Sequence, residues 1–315
     1  MARPLRIQYP GAFYHITSRG NERKDVFKIK KDRERFLSYL ESSTKRYGAR
    51  IHAYCLMNNH YHLLVETPEG NLSQIMRHIN GAYTTYFNIK RKRSGHLFQG
   101  RYNAILVDAD EYVTQLSRYI HLNPVRAGMV EEPGKHPWSS FQYYAGNNKS
   151  PGWLVMDFVL GFFGENNVKA KTAYRQFVMA LINREYESPL NEVVASTILG
   201  SQEFVKDIRE KFLGKAKKDR NVPAVRELTS GKDVKEIKDA VALVFNDNPQ
   251  LARKAAVYIS HRYSGRKLKE IGLHFDIGES AVSQTSRRFA EIVAKDRGIM
   301  KRIEKLNREL GLSSV

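Results

Sequence analysis

Asn58-Asn59-His60-Tyr61-His62-Leu63-Leu64-Val65 places two histidines one residue apart at the head of a short apolar run. In a β-strand, residues i and i+2 leave the same face about 6.5 to 7 Å apart, so His60 and His62 can converge on one ion while Tyr61, Leu63 and Val65 face a core. The pair is half of a metal site. A half-exposed strand that carries two histidines by chance reads the same way until a third ligand and a task for the metal are found. Asn58-Asn59 is a tight-turn signal, which makes 49–57 and 60–66 the two strands of a hairpin.

Outward from this hairpin the pattern changes period repeatedly. Residues 12–19 alternate as a strand, and Asp32 to Tyr47 reads as an amphipathic helix with Phe36, Leu37 and Leu40 inward, closed by Gly48. Asn71 to Lys90 repeats Leu72, Ile75, Met76, Ile79, Tyr83 and Phe87 at helical spacing, and Asn103 to Val107 is a further strand. A third helix holds Val113, Leu116 and Ile120 on one side, with Asp108 or Asp110 as N-cap and Pro124 to stop or kink it. This order predicts an α+β fold, an antiparallel sheet with helices packed on it. On the third helix Tyr119 and Asn123 are four apart and share a face. A phenol is a poor nucleophile while its pKa is about 10, but a divalent cation that polarises a phosphate makes its attack feasible. The neutral oxygen of Asn123 suits Mg²⁺ or Mn²⁺ beside imidazoles. Glu66, on the histidines' strand face, is a reserve third ligand. A core-edge aromatic with its hydroxyl in water is the simpler reading of Tyr119 taken alone.

Lys and Arg number 52 against 33 Asp and Glu, a net charge of +19. Such an excess implies a polyanionic partner, nucleic acid or an anionic membrane. No apolar run approaches the roughly 18 residues of a membrane span and the N-terminus has no apolar signal region, which favours nucleic acid and a cytoplasmic, nucleoid-associated protein. The one cysteine, Cys55, excludes an internal disulfide framework and reads as a small core residue. Lys90-Arg91-Lys92-Arg93 can be a solvated helix end that complements the dipole. Followed by Phe98, Tyr102 and two glycines, it also reads as a grip for single-stranded DNA, with Arg91 and Arg93 on phosphates and the aromatics on bases.

Residues 133–144, with Trp138, read as an aromatic plug on the first domain, and 147–152 as a boundary. Four helical segments, 155–163, 170–185, 189–199 and 202–213, read as a spacer that supports dimer contacts or the DNA path. Gly214 to Arg220 is a basic linker. Four helices then follow, 234–245, 250–263, 268–275 and 280–295, with a glycine-bearing turn at 276–279 between the last two, a helix-turn-helix pattern. Leu268, Ile271 and Phe275 pack on Val282 and Phe289, which leaves Ser283, Gln284, Arg287 and Arg288 outward for major-groove reading and phosphate clamping. The expected domains are 1–150, 151–220 and 221–315.

Four motifs in order, Tyr14-His15-Ile16-Thr17-Ser18-Arg19-Gly20-Asn21, Met57-Asn58-Asn59-His60-Tyr61-His62-Leu63-Leu64, Phe98-Gln99-Gly100-Arg101-Tyr102 and Arg118-Tyr119-Ile120-His121-Leu122-Asn123-Pro124-Val125-Arg126-Ala127-Gly128, resemble the HUH single-tyrosine transposases, in particular the REP-associated tyrosine transposases. The resemblance implies an HUH endonuclease-like fold and a nuclease and strand-transferase acting on single-stranded hairpin or REP-like DNA. It implies a covalent 5′-phosphotyrosine through Tyr119 and a free 3′-hydroxyl. His60 and His62 would hold Mg²⁺ or Mn²⁺, with Asn123 where relatives place a helix-borne polar ligand. Arg19 and Arg101, inside the motifs, would contact phosphates. Ala256 to Phe289 is similar to the DNA-binding domain of the bacterial replication initiator, most clearly in Lys267-Leu268-Lys269-Glu270-Ile271-Gly272, which implies duplex binding. A transposase-derived regulator that binds without cutting, or an RNA-binding protein on the same sheet, would also fit the composition. Relatives include homodimers that share active sites and monomers.

Overall fold

The structure is a computed structural model. It describes residues 6–146, 148–165, 167–182, 184, 187–194, 197–213, 232–264, 266 and 268–310, so the basic linker 214–220 lies outside the described residues. The chain divides into two compact units, Arg6–Val205 and a second from Lys206 onward.

In the first unit β1 (Ala12–Arg19), β2 (Arg50–Leu56), β3 (His60–Thr67) and β4 (Asn103–Val107) form an antiparallel sheet, and a short β5 (Ile198–Leu199) adds in parallel to β4; the strand order is β2-β3-β1-β4-β5. The β1–β3 register sets Arg19 opposite His60 and Thr17 opposite His62. Successive side chains on β3 leave opposite faces. Tyr61 therefore points to the layer of α1 (Lys30–Tyr47) and α2 (Leu72–Lys90), where it packs 4.7 Å from Phe36 and donates its hydroxyl to Asn80 Oδ1 at 2.6 Å. His62 points the other way, toward α3 (Ala109–Arg126). One strand thus builds a core on one side and a polar site on the other.

The Asp32 carboxylate accepts the Lys28 and Ile29 N–H groups at 3.0 and 3.2 Å to start α1, and Gly48, at φ 65°, ends it in the left-handed conformation that L side chains resist. Of the two N-caps expected for α3, Asp108 holds the position, with its carboxylate turned to the Ser201 hydroxyl at 3.0 Å. Pro124 neither stops nor ends the helix, which runs to Arg126. It lies in the last turn, where the loss is limited to the one N–H that proline lacks.

Residues 151–205, expected as a spacer, are part of the first unit. Here α4 (Phe141–Tyr144), α5 (Asp157–Gly161) and α6 (Asn167–Met179) lie against the α3 side. The helix expected over 189–199 is instead a 3-10 turn (Pro189–Glu192) followed by β5. The free edge of β4 decides this: the Leu106 and Asp108 N–H groups donate to Thr197 O and Leu199 O at 2.7 and 2.8 Å, and the β-branched run through Val193, Val194, Thr197 and Ile198 favours extended backbone.

The second unit begins within α7 (Gln202–Ile208) and contains α8 (Val234–Val244), α9 (Pro249–Tyr263), α10 (Leu268–Phe275), α11 (Glu279–Lys295) and α12 (Arg297–Glu309) around Ile237, Val241, Ile259, Ile271, Val282, Phe289 and Leu306. Gly272 is required at the α10–α11 corner, because a Cβ there would sit 2.4 Å from the Ile277 carbonyl oxygen. α12 was not foreseen; Asp296 caps it by accepting the Gly298 and Ile299 N–H groups at 2.8 and 3.1 Å. No helix among the described residues is long and apolar enough to cross a membrane.

Candidate active site

His60 opens β3 and its Nδ1 lies 2.6 Å from Asn59 Oδ1. The Asn59 amide nitrogen donates to Arg23 O at 2.9 Å, which fixes the amide's orientation. The oxygen facing His60 is thus an acceptor, His60 Nδ1 carries the proton, and Nε2 keeps its lone pair. His62 is buried, and its Nδ1 is 3.0 Å from Nε2 of the equally buried His15 on β1. The His15 and His62 rings lie nearly parallel with centroids 5.3 Å apart, and His60 and His62 are 5.1 Å apart at 73°. Burial pushes His15 down to about 3; burial, with Arg19 adding, pushes His60 down to about 4. His62 is held well below the ordinary imidazole value by burial and then by His15, His60, Arg19 and Arg126. All three rings are neutral near pH 7, the form that ligates a metal.

From α3 the ring of Tyr119 meets this cluster edge-on, 6.0 Å from His15 and 5.9 Å from His62 at 89° and 81°. The Arg126 guanidinium sits 5.1 Å from the centre of the Tyr119 ring. Asn123, one turn on, donates its amide nitrogen to Tyr119 O at 2.9 Å, so its Oδ1 is the atom a cation would meet. The reserve ligand Glu66 is engaged elsewhere, by Arg50 Nη1 at 3.0 Å and His52 Nε2 at 3.1 Å. Among the described residues no group of three or more His, Cys, Asp or Glu could hold a metal. The donor chemistry nevertheless suits half of a divalent-cation site: two neutral imidazoles whose outer nitrogens are anchored, with oxygen ligands needed for the remainder.

Two residues went unassigned in the sequence. His15 lies in the first motif and faces the site because β1 pairs with β3; the strand parity of His15 and Thr17 was its only signal. Arg126 sits in the last motif, seven positions after Tyr119, where helical spacing returns it to the same face.

The basic residues separate into two groups. Arg19 is exposed at the end of β1, where its carbonyl accepts the Gln99 N–H at 2.8 Å and ties the 94–102 loop to the sheet. Arg101 is exposed on that loop and Arg93 is exposed just before it. Arg91 behaves differently: its guanidinium pairs with the fully buried Asp32, which also binds Lys90 at 3.1 Å. A carboxylate with no water must be paired, so this arginine holds the α2 end onto α1 rather than facing solvent. Phe98 and Tyr102 are also buried, at 6% and 9% exposure, so they pack the core and offer no open face for bases. Beside them lies a cleft of about 610 Å³ whose lining includes Arg6, Arg77, Arg101, Asn80 and Tyr102. In the second unit Gln284, Arg287 and Arg288 are exposed and Ser283 partly so, together on the face of α11 opposite Val282 and Phe289.

Comparison with known proteins bears on the first unit. Residues 9–123 match the family described as Transposase IS200 like. A curated Haemophilus influenzae protein named for the REP-associated tyrosine transposases is 28% identical over 117 residues, which cover 34% of this chain and 66% of that protein, just under two thirds of its length. A solved structure of a REP-associated tyrosine transposase bound to a REP hairpin aligns with 50% of this chain and 93% of its own, at 18% identity and a TM-score of 0.41. The match to the IS200-like transposase model spans residues 9–123, the stretch that carries both histidines and Tyr119.

Proposed function

We propose that this chain is a metal-dependent single-stranded DNA endonuclease and strand-transferase that forms a covalent 5′-phosphotyrosine at hairpin or REP-like elements. The observation that carries the reading is the Tyr119 ring set edge-on against both His15 and His62. The tyrosine on α3 meets neutral imidazoles from two neighbouring strands, β1 and β3, in direct edge contact. Bound Mg²⁺ or Mn²⁺, held by His60, His62 and Asn123, would polarise the scissile phosphate. Asn59 and His15 keep the two imidazoles oriented. Tyr119 Oη bonds to phosphorus and gives up its proton as the P–O3′ bond breaks, and the departing 3′ oxygen takes up a proton. Arg126, over the ring, favours the negative charge that develops on the phenol oxygen. The phosphotyrosine keeps the bond energy for rejoining. Tyr119 stands against the histidines of its own chain, which supports a first cleavage within one protomer.

The DNA partner follows from charge. Arg19, Arg93 and the cleft of Arg6, Arg77 and Arg101 would track the phosphates of the single-stranded substrate, while Ser283, Gln284, Arg287 and Arg288 on α11 would contact duplex DNA through a helix-turn-helix. The test is incubation with 5′-labelled and 3′-labelled hairpin oligonucleotides, with Mg²⁺ or with chelator, on a denaturing gel. A metal-dependent protein adduct that carries only the 3′ label, lost in Tyr119→Phe while hairpin binding stays within a few-fold, is the expected result. Tight binding without an adduct would identify a regulator that does not cut.

A further inference from the structure

We propose that Ser140 and Tyr174 are positioning residues for the Tyr119 nucleophile, acting through His121; the inference rests on the reading of Tyr119 above. Ser117 and His121 flank Tyr119 by two positions on either side, so they leave α3 on the far side from it, and being four apart they share that face. Both are fully buried. The Tyr174 hydroxyl, from α6, lies 2.7 Å from His121 Nδ1 and 3.0 Å from Ser117 Oγ. Ser140 Oγ lies 2.8 Å from His121 Nε2 and is itself anchored on β2, accepting the Tyr54 N–H at 2.9 Å and donating to Tyr54 O at 3.2 Å.

The proton positions follow from these partners. Ser140 gives its one hydroxyl proton to Tyr54 O, so His121 Nε2–H donates to Ser140 Oγ. His121 Nδ1 is then the acceptor facing the Tyr174 hydroxyl, whose single proton is shared between it and Ser117 Oγ, because Ser117 gives its own proton to Thr114 O at 2.8 Å. With the His121 proton on Nε2, both ring nitrogens have a partner, and α3 is held between β2 and α6 on the face turned away from the histidine pair. The clamp controls the roll of the helix. For a helix whose side chains reach about 5–6 Å from the axis, a roll of about 10° moves the outer atoms by about 1 Å. Misplacement on that scale costs up to about 10²-fold in a positioned reaction. Both clamping residues lie beyond residues 9–123, the stretch that matches the family. The part of the chain outside the match therefore aims the nucleophile inside it.

The experiment measures the single-turnover rate of adduct formation on a labelled hairpin oligonucleotide with Mg²⁺, together with the hairpin Kd by fluorescence anisotropy. The full-length chain is compared with Tyr174→Phe, Ser140→Ala and the control Tyr83→Phe. Tyr83 makes the same kind of buried phenol bond, to Val26 O at 2.5 Å, but in the α1–α2 layer away from α3. We expect Tyr174→Phe and Ser140→Ala each to slow adduct formation roughly tenfold with Kd unchanged within twofold, and Tyr83→Phe to leave the rate unchanged. An undiminished rate in Tyr174→Phe and Ser140→Ala, or equal losses in Tyr174→Phe and Tyr83→Phe, overturns the clamp while adduct formation by the unsubstituted chain upholds the nucleophile. Absence of an adduct from the unsubstituted chain overturns the reading of Tyr119 and the clamp with it.

Discussion

Asp32 is the group whose neutralisation should be felt most in the first unit. Its carboxylate is fully buried and serves five partners: Arg91, Lys90, the Tyr86 hydroxyl, and the backbone N–H groups of Lys28 and Ile29. Asp32→Asn keeps the volume and removes the charge, so no cavity confuses the result. Breaking a buried pair costs about 3–5 kcal/mol when the stranded charge stays buried. The Arg91 and Lys90 side chains are 18% and 29% exposed and can swing toward water, so we place the cost below that range, at about 2–3 kcal/mol. At roughly 2–4 °C per kcal/mol for a unit of this size, Tm should fall by about 4–12 °C. Both tryptophans, Trp138 and Trp153, lie in this unit, so intrinsic fluorescence melting reports on it alone. Burial by itself would push the Asp32 carboxyl up, but the hydrogen bonds from Arg91, Lys90 and the two backbone N–H groups outweigh it and hold the group below the ordinary carboxylate range. A depressed folded pKa stabilises above the unfolded pKa and fades as pH falls through the folded one. The gap between the unsubstituted chain and Asp32→Asn should therefore be full at pH 7 and narrow below about pH 4. A Tm change under 2 °C at pH 7, or a gap that widens on acidification, would refute the reasoning.

Three further outcomes are expected. His60→Ala with His62→Ala should abolish metal-dependent cleavage of the hairpin, and undiminished cutting by the double variant would sink the metal assignment. Gly272→Ala forces a Cβ against the Ile277 carbonyl and should destabilise the second unit by about 1–3 kcal/mol. Calorimetry would show that loss, whereas tryptophan fluorescence should not move. Arg101→Ala should weaken hairpin binding with little regard to sequence and lower the slope of log K against log salt by about 1; an unchanged slope would remove Arg101 from the phosphate path.

What was legible in the sequence was local. The period-2 run of 60–66 and the 3.6-residue spacing of 72–87 each report which face of one element is apolar, and that needs no partner to read. So strands β1 to β4, helices α1 to α3 and the shared face of Tyr119 and Asn123 came from spacing alone. Arg91 went astray for the opposite reason: a basic run looks solvated until Asp32, 59 positions earlier, is found beneath it. The strand at 198–199 was misjudged because its extended form answers an edge of β4 that lies about ninety residues away in the chain.

By itself, the sequence determined the elements, the two neighbouring histidines, the tyrosine helix and a net charge that calls for a polyanion, since each depends only on residue types and on spacings within one helix or strand. Tertiary structure alone decided which imidazole backs His62, which carboxylate claims Arg91, and which hydroxyls hold His121. Those are contacts between strands and helices far apart in the chain, settled by sheet register and packing, and no local period carries them.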